Sequence, residues 1–265
     1  MPCRFWQGMV ASFGCMWYIF PIKPIGSKHM RKKILSQESL KLIACLTMFI
    51  DHFGYAIVPV LPVPHMVELY YVCRIIGRIA FPIYCFLLAE GMRHTRSPQK
   101  YILRLSLGIL LAELPFDILF EGGFTWAYQS VMVTLSLGAV MLLCMEKIQK
   151  KGLKLLLVLP FAVLAELAKC DYGGWGIVMI ALFALIDRSS LQAVALLLVN
   201  ACMESAALPI LGIPISVQLF ASAAMIPISL YSGQKLSHNR VLQWAFYLFY
   251  PFHLLILWII LALVR

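Results

Sequence analysis

CRIIGRIAFPIYCFLLAEGMR, from Cys73 to Arg93, is apolar for most of its length, yet two arginines sit near its start and a third closes it. A run this long matches the roughly 20 apolar residues that cross about 30 Å of hydrocarbon. Arg74 and Arg78 are four apart and so share one helix face. Gly77 leaves room beside Arg78 for another group, and Pro82 predicts a kink or a freed carbonyl. The whole chain shares this character. Its 265 residues are 62% hydrophobic and 13% charged, with mean hydropathy +0.87, whereas a soluble domain is about 25% charged.

Nine apolar segments are long enough, or nearly so, to cross a bilayer: 39–61, 66–92, 99–120, 129–146, 153–168, 172–187, 190–206, 210–231 and 240–264. They predict an all-α polytopic membrane bundle of nine crossings, or ten if the first residues add one. Residues 1–34 read as an N-terminal extension, with Met30 as a natural start, or as an interfacial or extra helix. Residues 35–265 read as one transmembrane domain, since no Gly/Ser linker divides them. The net charge of +10 is explained by placement. All of the 22 Lys and Arg except Arg74, Arg78, Lys169 and Arg265 fall on alternate loops or the ends beside them. That is the positive-inside pattern, with the N-terminus cytoplasmic and the protein in the cytoplasmic membrane. It leaves no reason to invoke nucleic acid. The eight cysteines form no CxxC pair and mostly lie in apolar runs, so they read as reduced small hydrophobes.

A charge in hydrocarbon costs about 2.5–3.5 kcal/mol on insertion scales, so each needs a partner or a task. His52 and the arginines lie roughly 12–18 Å below the outer ends of their spans, at about 1.5 Å per residue. Glu113 and Asp117, Glu166 and Asp171, Gln129 and Ser130, Asn200 and Glu204, Gln218 and His253 fall in the same outer half. Together they predict a shared polar cavity. Helix glue explains any single acid, but two guanidiniums and an imidazole at one depth ask for chemistry. His52 is the candidate general base, with an ordinary pKa of about 6.5. Arg74 and Arg78 remain charged and can clamp phosphates, bind an anionic donor or stabilise an oxyanion. Asp51 completes the catalytic pair but stands about 100° around the helix from His52, which suits it to an arginine. Glu113, Asp117 or a backbone carbonyl is better placed to orient the imidazole. The chain has no HExxH, GxSxG or P-loop, and GGFTWAY and YGGWG read as turns. No metal is expected, and His65, His94 and His238 read as surface residues.

The pieces DHFG (51–54), GRIAFPIY (77–84), DYGGWGIVMIALF (171–183) and YPFH (250–253), in that order, resemble the TraX family over residues 35–262. Its name-giving member is the conjugative pilin acetylase. The resemblance implies a transmembrane acyltransferase that uses acetyl-CoA or another acyl-CoA as co-substrate and no metal. It also implies an acceptor amine or hydroxyl at the outer face, on a protein N-terminus, a glycan or a small molecule. Carried over, the membrane-embedded histidine is His52, with Arg78 in support. His253 matches the terminal histidine motif, while Gln129 and Ser130 stand where the family leads one to expect asparagine. Two other classes fit the polar layer: a secondary transporter, which two related halves would mark and which no internal repeat supports, and a non-enzymatic scaffold.

Overall fold

The computed structural model describes residues 34–203, 205–210, 213–235 and 240–265. The extension other than Ile34, Glu204 and His238 lie outside the described residues. Helix α1, Gln37–Ala56, begins where the Ser36 hydroxyl accepts from the Ser39 amide at 3.1 Å, a hydrogen-bonded N-cap. Leu40, Ala44, Met48 and Asp51 form its buried stripe, while Leu42 and Leu46 on the other side are 53% exposed. Leucines facing outward at such exposure need lipid as solvent.

Helices α2, Met66–Gly77, and α3, Ala80–His94, form one apolar stretch broken at Arg78 and Ile79. The break follows from Pro82, which lacks the N–H that would bond the Arg78 carbonyl. Here α2 lies very close to α1. A Cβ on Gly54 would overlap Cys73, and one on Gly77 would overlap Asp51. Small residues that let backbones approach are the usual means of helix association in lipid.

Helix α4 spans Pro98–Phe120, α5 Val131–Glu146, α6 Lys151–Leu167, α7 Gly173–Leu185 and α8 Ser189–Cys202. Helix α7 is buried over most of its surface, with Ile177, Met179 and Ile180 at 0% exposure though Trp175 is exposed, and packs against α3, α5, α6 and α8. Its start is a tight turn in which Lys169, Tyr172 and Gly173 all have positive φ. Glu166 accepts from the Gly174 amide at 2.8 Å, and a Cβ on Gly173 would meet that carboxylate at 2.5 Å.

The segment expected as a crossing at 210–231 is not one α-helix. Strand β1, Ala207–Ile210, pairs antiparallel with β2, Ile213–Ser216. A 3-10 helix at Val217–Ala224 and a short α9, Met225–Ser229, follow. Pro214 and Pro227 within the segment remove amide donors that a continuous α-helix requires. The path still returns along the bundle, because the Leu230 carbonyl accepts from the Ile34 and Leu35 amides at α1's start. Helix α10, Arg240–Val264, packs against α1 and α4 and turns Tyr250, His253, Leu254 and Leu257 inward.

Among the described residues, three stretches are long and apolar enough to cross a membrane: Gln37–Val60, Met66–His94 and Val241–Val264. Helices α5, α7 and α8 are apolar but have only 16, 13 and 14 residues. Cys45, Cys73, Cys85, Cys144, Cys170 and Cys202 are free thiols.

Candidate active site

Close packing at Gly77 brings Asp51 of α1 against the arginine face of α2. Asp51 Oδ2 accepts from Arg74 Nη1 at 2.7 Å, and both its oxygens accept from Arg78 Nη2, at 3.0 and 2.8 Å. Asp51 is 7% exposed. Tyrosine rings brace the two cations. The Arg74 guanidinium lies 5.2 Å from the Tyr55 ring centre and that of Arg78 5.9 Å from Tyr172, whose ring stacks on Phe81.

One helical step on, His52 turns away from this cluster. Its Nδ1 is 2.7 Å from His253 Nε2, and His253 Nδ1 is 2.9 Å from the Phe249 carbonyl oxygen. A carbonyl only accepts, so His253 Nδ1 carries the hydrogen and its Nε2, in the neutral ring, accepts. His52 Nδ1 then donates. The neutral His52 ring is left with a lone pair on Nε2, the electronic condition for a proton acceptor. Phe120 and Tyr250 pack edge-on against the His52 ring, and His253 is 2% exposed.

A cavity of about 420 Å³ joins the two groups. Asp51, His52, Arg74, Arg78, Asp171 and Tyr172 line it. On the far side Arg78 Nη1 donates to Gln218 Oε1 at 3.5 Å, Gln218 Nε2 to Asn200 Oδ1 at 2.9 Å, and Asn200 Nδ2 to Ser222 Oγ at 3.1 Å. Arg78 Nε is buried and has no hydrogen-bond partner among the described residues. Replacing Gln218 by leucine leaves the buried Asn200 amide short of a partner. A loss of about 1–3 kcal/mol in unfolding free energy is expected, read by thermal denaturation in detergent.

Of the residues singled out from the sequence, Asp51, His52, Arg74, Arg78, Asp171 and His253 come together. Glu113 and Asp117 do not reach His52. Glu113 accepts from the Ser130 hydroxyl at 2.6 Å and its amide at 3.2 Å, fixing the start of α5. Asp117 accepts from the Thr125 amide at 3.0 Å, holding the loop before it. The partner of His52 is His253, itself seated on a backbone carbonyl. Tyr172, Tyr55 and Tyr84 also line the cavity and were not anticipated. An aromatic directly before the glycines of DYGGWG was the available signal for Tyr172.

The family model described as TraX protein matches residues 36–261. "Probable fimbrial assembly protein FimC, serogroup H1" of Dichelobacter nodosus is 28% identical over 238 residues, covering 84% of this chain and 94% of that protein. No solved structure matches.

Proposed function

The chain belongs to the TraX family, and from that premise we propose that it is an integral membrane acyltransferase. It moves an acyl group, acetyl first, from cytoplasmic acyl-CoA to an amine or hydroxyl in the outer half of the membrane. The observation that carries this reading is the His52–His253–Phe249 chain, which leaves a lone pair on His52, a residue that lines one cavity with two arginines. His52 Nε2 takes the proton from the acceptor's N–H or O–H, and the freed pair attacks the thioester carbonyl carbon. As the C–S bond breaks, the thiolate leaves and receives that proton from the His52 imidazolium, so the products are the acylated acceptor and free CoA. Arg78, with its unpartnered Nε, supports the growing charge on the carbonyl oxygen. Asp51 and Arg74 hold Arg78 in place, and Asp171 lies on the acceptor side.

The basic loops orient the domain with residue 35 in the cytoplasm and nine traverses of the cytoplasmic membrane. The relative's name speaks of fimbrial assembly. For this chain the amino terminus of an exported protein is the first acceptor to try, with glycans and small molecules as alternatives. The test uses the purified chain in lipid nanodiscs with radiolabelled acetyl-CoA. Label on the acceptor with equal release of CoA is expected. Uptake of the acceptor into proteoliposomes without any acyl donor would make the protein a transporter and overturn the reading.

A further inference from the structure

A second cavity, of about 150 Å³, lies against the first. Met48, Tyr84 and Val131 line both. It runs from Gln37 and Lys41 in the first turns of α1, past Gly91 near the end of α3 and Tyr101 near the start of α4, to Tyr250 on α10. The far end is therefore beside His52, whose ring centre is 6.3 Å from that of Tyr250. Its walls are mainly leucine and methionine, interrupted by the hydroxyls of Tyr84, Tyr101, Tyr247 and Tyr250. Lys41 stands at its mouth, with Nζ 5.4 Å from the Phe246 ring centre, and the Arg104 guanidinium lies behind the wall, 5.8 Å from the ring centre of Tyr101. Both rings line the slot.

We infer that this slot, and not the Arg74–Arg78 pair, holds the acyl donor. The elongated pantetheine arm enters from the Lys41 end and presents its thioester to His52 across the Met48–Tyr84–Val131 partition. Three features argue for it. Both arginines share the Asp51 carboxylate, which offsets part of the charge a phosphate would need. An arm of methylenes and amides matches apolar walls with scattered hydroxyls. The phosphates of coenzyme A match a mouth bearing Lys41, with Arg104 close by on α4. The Tyr84 hydroxyl, 3.3 Å from Cys45 Sγ, stands in the partition, so the acyl head and the acceptor meet there from opposite sides.

The assignment rests on the acyltransferase reading, so its test measures donor binding without turnover. Acetyl-CoA binding is titrated on the full chain in nanodiscs in a His52→Ala background. Leu88→Trp fills the slot, and Lys41→Glu reverses the charge at its mouth with a smaller change in packing. Each is expected to weaken acetyl-CoA at least tenfold. Pantetheine lacking the nucleotide should respond to Leu88→Trp and not to Lys41→Glu. Should Leu88→Trp fail to fold, Lys41→Glu decides. Unchanged donor affinity in folded variants overturns the slot and leaves the proposed function standing if the parent still transfers label. Absence of donor binding to the parent, or a phospholipid that acetyl-CoA does not displace in native mass spectrometry, also overturns it. Donor binding lost in the variants, with no transfer by the parent to any acceptor, upholds the slot while removing the enzymatic reading.

Discussion

Replacing His52 by alanine lowers acyl transfer by about a thousandfold, the middle of the range for losing a positioned general base. His52→Gln gives the sharper result. Its side-chain amide can still donate to His253 Nε2, so the chain of hydrogen bonds and the fold persist, but nothing in it accepts a proton at neutral pH. Initial rates with labelled acetyl-CoA, set against thermal denaturation, separate the two effects. A His52→Gln protein that transfers at the parental rate would remove the histidine from the chemistry. His253→Ala is the companion case. It leaves His52 Nδ1 without its acceptor and frees the ring to turn or change tautomer, and a loss of about ten- to a hundredfold is expected, smaller than for His52 itself.

Asp51→Asn should be the most destabilising single change near the cavity. It removes the buried charge that two half-buried guanidiniums share, and breaking a buried pair by deleting one partner costs about 3–5 kcal/mol. Gly77→Val tests the same contact from the other side, since its first added carbon already overlaps the Asp51 carboxylate. Both variants are expected to lower the unfolding midpoint and the detergent-soluble yield. Asp51→Asn with the parent's thermal stability would mean that water or lipid headgroups reach the arginines and compensate them.

Much of this arrangement is legible in the chain before any fold is known. Spacing of four puts Arg74 and Arg78 on one face, Gly77 marks the place where a group must approach, and Asp51 faces away from its neighbour His52. Each depends only on contacts within one helix or on a missing side chain. The pairing of His52 with His253 spans 201 residues, and periodicity says nothing about which two helix faces meet. Glu113 and Asp117 mislead for a related reason. Their spacing of four is the same as that of the arginines, but α4 carries them to the start of α5 and its preceding loop, where backbone amides take them up. At 210–231 the apolar composition suggests a crossing helix, and Pro214 and Pro227 within it decide the backbone.

The coil at Val217–Ala224 has a consequence for Arg78. With three residues to each turn, Gln218, Ala221 and Ala224 stack in one row, and all three are buried. If the same segment rewound at 3.6 per turn with Ala224 fixed, six steps at about 20° each would swing Gln218 by about 120°. The segment would also shorten by about 3 Å. The guanidinium's far-side support therefore exists only in the more tightly wound form, and a local change of pitch is enough to let it go.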